Sequence, residues 1–245
     1  MQHFGSRPQR FNFFDASGTP ARLHVAGVEP LESSMRTSTS SYVHASTSAV
    51  QASFHKYVSV AVLVVFIGSL KVNGSSQDIP MVARVSIADY RGNTLLDTYV
   101  RPTHPVENYR TEETGIQHAH LSHAPRFADV QERVATIIKD KIIIGHRIWN
   151  FLSVLGLLHP AVDTRDLALF QPLRKKLKSR SIVDLDSLVH CFMGRNVRIM
   201  YEDSLEAARA AMDLFRSCEN IFEGIIEDNY WPCDLPPTGY AKYYS

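Results

Sequence analysis

His118, His120 and His123 stand within six residues and suggest a metal site. A zinc-type site needs Cys, His or carboxylate ligands at turn or helical spacing, and no Cys, Asp or Glu stands among these three. They read as surface or capping histidines in the loop after Gly115-Ile116. A second group, Arg174-Lys175-Lys176-Leu177-Lys178-Ser179-Arg180, has the charge to hold phosphates. Its plainer reading is a solvated linker ahead of a helix. Tyr109-Arg110 couples a ring able to stack on a base with a guanidinium able to pair a phosphate, and packing of its loop explains it as well. The acidic residues Asp163 and Asp166 lie near the expected sheet, and Glu202, Asp203 and Glu206 belong to the expected last helix. Hydrolysis with hard cations needs oxygen donors brought together from several elements. Between Phe54 and Gln77 there is no Asp or Glu at all, and that stretch contains the most apolar run of the chain.

That run, Val58 to Ile67, is valine-rich and broken only by Ser59, the pattern of a central strand covered on both faces. Met81 to Asp89 alternates and predicts a second strand. The Tyr90-Arg91-Gly92-Asn93 turn then leads to a third at Thr94 to Val100, making a hairpin. Phe127 to Ile138 places Val130, Val134, Ile137 and Ile138 on one helical face. Lys141 to Gly145 predicts a short buried strand and Asn150 to Leu158 a helix, with a further strand near Asp163. Two more helices are expected over 184–193 and over Ser204 to Phe222, the latter capped by Asp203 or Ser204. The order βββ-α-β-α-β-α-α predicts an α/β fold: a mixed central sheet, three strands in a meander and then parallel strands, flanked by helices.

The 245 residues suffice for one domain and a tail, with 44% hydrophobic and 21% charged residues as in an ordinary globular protein. Three domain-level segments are expected. Residues 1–55 form a mobile tail, small and polar from Ser33 to Ser41, within which Arg10 to Phe14 is a candidate for docking. Residues 56–225 form the globular domain. Residues 226–245 form an aromatic, proline-rich extension that either folds back on the domain or offers a partner-binding peptide. A formal net charge of +1 gives no global signal for nucleic acid or membrane. Cys191, Cys218 and Cys233 form no metal spacing and no evident disulfide framework, which points to an intracellular compartment. No stretch is long and apolar enough to span a bilayer and no leader opens the chain, so the Asn73-Gly74-Ser75 sequon is expected to be silent.

From Tyr57 to Ser217 the sequence resembles the DEDDh 3′–5′ exonuclease superfamily, with a ribonuclease-H-like fold, and most closely its RNA exonuclease 4 branch. Met81-Val82-Ala83-Arg84-Val85-Ser86-Ile87 is similar to that branch's second strand, and Tyr99-Val100-Arg101-Pro102-Thr103 to its "YVKPT" strand end. Tyr109-Arg110-Thr111 with Gly115-Ile116 resembles "DYRT…SGI", and Gly145-His146 with Asn150 and Leu152 resembles "GHxxxNDL". Asp163-Thr164 resembles the "RDT" strand, and Leu185, Leu188 and Gly194 fit "SLxxLxxxxLG". The resemblance implies four carboxylates holding two Mg²⁺ or Mn²⁺ ions, with a histidine as general base. Here "LDCEMVG" aligns with Val62 to Gly68, "HND" with Trp149-Asn150-Phe151, and "HDSxEDA" with Glu202 to Ala208. Leu63, Val65, Phe151 and Ala207 therefore stand where the carboxylates are implied, and Glu202 where the histidine is. No slip of register restores the first pair.

The expected function is accordingly a catalytically inactive exonuclease-like domain, without metal or other cofactor, that binds RNA, protein or both. The alternatives are an active metal-dependent RNA 3′–5′ exonuclease and a decayed paralogue without selected function. Tyr109, Arg110, His146, Asn150, Arg174, Lys175, Lys176 and Lys178 are the candidates for holding single-stranded RNA. For His146 and Asn150 this rests on the resemblance, which places them in the cleft, and a structural role fits them as well. A protein partner would engage the tail or the C-terminal segment, and a nuclear location is implied by the resemblance alone.

Overall fold

A computed structural model describes residues 55–231, except 73 and 199, and residues 234–244. The tail over 1–55, save His55, lies outside these residues, as do Arg10 to Phe14, Asn73 and Cys233. Five strands form one sheet in the order β3-β2-β1-β4-β5. They are β1 (Tyr57–Val72), β2 (Ser75–Asp89), β3 (Thr94–Tyr99), β4 (Ile142–Gly145) and β5 (Thr164–Asp166). The first three pair antiparallel, and β4 joins β1 and β5 parallel to both. This is the mixed sheet with flanking helices of the ribonuclease-H-like exonuclease fold.

One face of the sheet is covered by α3 (Phe127–Ile138) and α4 (Ile148–Leu155). Val130, Val134, Ile138, Phe151, Leu152 and Leu155 pack there on Val58, Val60 and Ile143. The other face carries α6 (Leu185–Met193) and α7 (Ser204–Glu227). In α7, Ala208, Ala211, Met212, Phe215, Cys218 and Phe222 recur at spacings of three and four and are all buried. They meet Tyr57, Ile142 and Ile144, while Phe170 stacks on Phe222 at 4.0 Å between ring centroids. Short helices α1 (Thr111–Thr114), α2 (His118–Ser122) and α5 (Gln171–Lys176) lie in the connections.

Several expectations need correction. The β1–β2 hairpin extends well past Ile67, with Ser69 opposite Asp78 and Val72 opposite Ser75. The polar residues 69–78 read as a loop because solvent-facing ribbon carries no apolar alternation. The signal that was there, Asn73-Gly74, is a strong tight-hairpin dipeptide, and Gly74 takes φ +81°. Helix α4 starts at Ile148, two residues before the expected Asn150, and stops at Gly156, whose left-handed φ of +62° ends it before Leu158. The strand near Asp163 falls at Thr164–Asp166, so Arg165-Asp166 occupies the strand, whereas Asp163 closes a 3-10 turn. His118 and His120 sit on α2 rather than in a loop, and α5 takes up the first three residues of the basic run read as a linker, Arg174 to Lys176. Helix α7 continues to Glu227, beyond Phe222.

Capping follows the sequence. Asp203 accepts from Glu206 N at 2.8 Å to begin α7, and Asp184 accepts from Ser187 N at 2.9 Å to begin α6.

The approach of β4 to β1 is set by Gly145. A Cβ there would lie 3.1 Å from the Val60 carbonyl oxygen and 3.0 Å from Ile148 Cγ1. Gly145→Ala is therefore expected to destabilise the protein by about 1–3 kcal/mol through overpacking. The measurement is a lower urea midpoint with an unchanged denaturant slope.

Candidate functional site

Strand β4 accompanies β1 only over Tyr57–Ser59. Beyond that point the chain turns away through His146 and Arg147, and a cleft of about 470 Å³ opens beside β1. Its walls are β1 from Val60 to Val64 with Phe66, the first turns of α4 and α6, and the start of α7.

The turn is fixed by Asp166 at the end of β5. Its carboxylate accepts from the backbone N–H groups of Arg147 (2.9 Å), Ile148 (2.7 Å) and Ala168 (2.9 Å). Complete burial pushes this carboxyl up to about 7, against the three N–H donors and the nearby Arg147, which favour the charged form. The negative group also sits at the positive end of α4. Arg147 takes left-handed dihedrals (φ 58°, ψ 54°) at that corner.

Leu63, Phe151, Glu202 and Ala207 line this one cleft. Val65 is fully buried, sharing a cluster with Leu63, Ala83, Ile116 and Leu121. The floor is therefore apolar. Glu202 is held between Arg198 at 2.6 Å and Arg110 at 3.4 Å. Burial alone would raise the Asp203 carboxyl, but the Glu206 N–H and the Arg84 guanidinium, 2.8 Å away, bring it below the usual carboxylate range. Arg84 also forms a two-pronged pair with Asp97, both contacts at 2.8 Å. Asp186 lies 3.5 Å from Arg198, and Asp184 serves as the α6 cap.

The site does not fit the paired Mg²⁺ or Mn²⁺ ions that the fold family implies. Leucine, valine, phenylalanine and alanine side chains offer no oxygen to a hard cation. The carboxylates that remain in the cleft are engaged by arginines or helix N-termini. Among the described residues no group of three or more His, Cys, Asp or Glu could hold a metal.

The residues considered for strand binding are dispersed. Arg110, His146 and Asn150 line the cleft; Tyr109, Arg174, Lys175, Lys176 and Lys178 do not. Arg110 lies over the Phe66 ring at 5.6 Å as well as pairing with Glu202. His146 Nε2 donates to the Val183 carbonyl at 2.7 Å, and burial depresses its pKa to about 4, so the ring is neutral at pH 7. Tyr109 packs against the buried cluster of Leu63, Val65, Ala83, Ile116 and Leu121, with its ring edge-on to His118. Arg174 is tied to Asp234 in the C-terminal segment, while Lys175 and Lys178 are exposed. The three histidines part company: His120 stacks on Tyr99, His118 meets Tyr109, and His123 bonds Ser122. The C-terminal segment folds back, with Trp231, Tyr240 and Tyr244 against Trp149, Ala168 and Leu169, and Tyr240 reaching the cleft.

Arg147 and Arg198, which line the cleft, and Asp166 and Arg84, which hold its corner and rim from outside the lining, were not legible as site residues in the sequence. Arg84 and Asp203 meet across 119 positions, which no local spacing records. The one available clue was the Arg165-Asp166-Leu167 order, which places Arg-Asp on the strand where Asp163-Thr164 had been aligned.

Residues 69–157 match the exonuclease family model RNase_T. That interval begins after Leu63 and Val65 and ends before Glu202 and Ala207. The chain is 42% identical over 139 residues to an RNA exonuclease 4 of Mycosarcoma maydis, covering 56% of this chain and 37% of the relative. Against the RNA exonuclease 4 of Mus musculus it is 34% identical over 163 residues, covering 66% and 38%. The chain thus spans about a third to a half of the length of the curated relatives it matches. Among solved structures, the apo Pan2 pseudoubiquitin hydrolase-RNA exonuclease module of Saccharomyces cerevisiae superposes with a TM-score of 0.58. It covers 72% of this chain and 31% of its own, at 23% identity, a level that establishes the fold alone. The same module in complex with AAUUAA RNA superposes equally well. Among the described residues no helix is long and apolar enough to cross a membrane. The chain is thus similar to an exonuclease domain over 69–157 and to RNA exonuclease 4 proteins over a little more than half of its length, on a fold shared with the Pan2 exonuclease module.

Proposed function

We propose that this chain is an exonuclease-family domain that has lost hydrolysis and works as a binding module. The observation that carries the reading is the content of the cleft. At the positions where the resemblance implies metal-binding carboxylates stand Leu63, Val65, Phe151 and Ala207, and the neighbouring acids are consumed by arginines. Removing clustered carboxylates relieves mutual repulsion that an active site tolerates for its metals. The binding unit is the domain over 56–225 with the extension 226–245 docked on it.

Between the two classes of ligand, a protein is favoured over RNA. Arg110, Arg147 and Arg198 face Asp184, Asp186, Glu202 and Asp203 in the cleft, an excess of one negative formal charge. Polyanion binding rests on uncommitted cations, and here Arg110 and Arg198 already have carboxylate partners. The exposed lysines of the basic run lie outside the cleft. The second reading, an active RNA 3′–5′ exonuclease in RNA processing, is favoured by the names of the relatives.

An assay on single-stranded RNA with Mg²⁺ and then Mn²⁺ separates the two. Purified full-length protein is expected to release no 3′ nucleotides. Release that is abolished both by a chelator and by Asp203→Ala would establish the active enzyme instead.

Thermal unfolding gives an independent check. Millimolar Mg²⁺ or Mn²⁺ should leave the midpoint unchanged, because a ligand stabilises only the state it binds. The double variant Leu63→Asp with Val65→Glu should lose more than about 4 kcal/mol, since it places two carboxylates in a buried apolar cluster. A clear rise of the wild-type midpoint with metal would contradict the reading.

A further inference from the structure

We propose that the cleft takes an extended polypeptide, which adds as a strand to the open edge of β1; this rests on the binding reading above. On the side away from β2, β1 is paired by β4 only over Tyr57–Ser59. Cover resumes at Phe66, which exchanges backbone hydrogen bonds of 2.9–3.1 Å with Glu107 and Asn108. Of the intervening edge, Ala61 to Val65, the first four residues line the cleft. At about 3.3 Å per residue it offers some 17 Å of strand. The register shift between Leu63 and Val64 places the extra residue, Ala83, on β2, so β1 itself runs unbroken along this edge.

Proteins blunt exposed strand edges with charge, proline, a bulge on the edge strand, or a covering element. Ala61-Val62-Leu63-Val64-Val65 has no charge and no proline. Covering by an occupant is the remaining device. Strand addition draws affinity from main-chain hydrogen bonds and specificity from pockets for alternate side chains. Val154 of α4, with Leu185 and Val197, adds partly exposed apolar side chains to the lining.

Charge narrows the occupant further. The negative excess of the lining disfavours a polyanion, and Arg147 is the lining arginine to which no ion pair is assigned. It is exposed and held at the cleft corner. The chemistry that fits is a β-branched apolar strand, near neutral, with a single carboxylate placed to meet Arg147.

The test uses the full chain and an acetylated, amidated peptide of about six residues alternating valine and threonine, with one glutamate. A second peptide carries N-methyl groups on alternate backbone nitrogens, in both registers, and a third replaces glutamate by lysine. Hydrogen exchange of the 61–65 amides is followed alongside binding. The parent peptide is expected to bind and slow that exchange, and the N-methylated peptides to bind at least about tenfold more weakly. Arg147→Glu, a surface change, should weaken the glutamate peptide and favour the lysine peptide.

Equal binding by the N-methylated peptides, or no binding of the parent at about 1 mM, overturns strand addition. Binding of an oligouridylate at the same edge without any peptide binding overturns it in favour of RNA. Both results leave the loss of hydrolysis standing. Metal-dependent RNA cleavage in the parallel assay is what removes that reading.

Discussion

Asp166 sets the geometry on which the cleft depends. A carboxylate wholly removed from water is tolerable only where donors converge on it, and three backbone N–H groups do. Two of these belong to Arg147 and Ile148, at the start of α4, so one side chain on β5 determines where the chain leaves β4. Because it leaves there, β4 stops accompanying β1 after Ser59, and the remainder of β1 faces a cleft instead of a neighbour. Gly145 supports the same corner from the other side by allowing close approach to the Val60 carbonyl.

Around that corner the cleft divides into an apolar floor and a paired rim. Leu63, Val65 and Phe151 are buried, and each side chain of that kind contributes about 1.5–3 kcal/mol relative to exposure. The floor therefore belongs energetically to the core. On the rim, Arg84 binds Asp97 and Asp203, while Glu202 lies between Arg110 and Arg198. These ties join β2, β3, the residue before α1 and the segment before α7. They hold the walls at fixed separation, a task metal ions would perform if carboxylates lined the floor. Partly exposed pairs of this kind add little stability one at a time; their contribution is geometric.

A cleft so constructed joins an apolar floor to a rim of paired charges. Its lining has a slight negative excess, and the basic helix α5 is anchored by Leu173 in the core and by Arg174 to the C-terminal segment, away from the cleft. Along one side the cleft presents the part of β1 that β4 leaves unpaired. Backbone groups and hydrophobic contacts suit a polypeptide better than a phosphate chain.

The sequence by itself determined the strand meander, the α3 and α7 helices, the cap at Asp203, and the aliphatic and aromatic side chains at Leu63, Val65, Phe151 and Ala207. These are local properties: side-chain chemistry at a position and periodicities of two or 3.6 residues can be read along the chain. The length of the β1–β2 ribbon was written in Asn73-Gly74 but obscured by polar residues around it. Which aspartate lies on β5, Asp166 rather than Asp163, and where α4 begins were misjudged by two or three residues. Those boundaries follow from Asp166 reaching Arg147 and Ile148, about twenty residues away. Only the tertiary structure decided that Arg84 would claim Asp203, that Arg110 and Arg198 would share Glu202, and that the basic run would lie apart from the cleft. Such pairings join positions up to 119 apart, and which charges meet depends on how helices pack on the sheet, a global outcome that no spacing along the chain encodes.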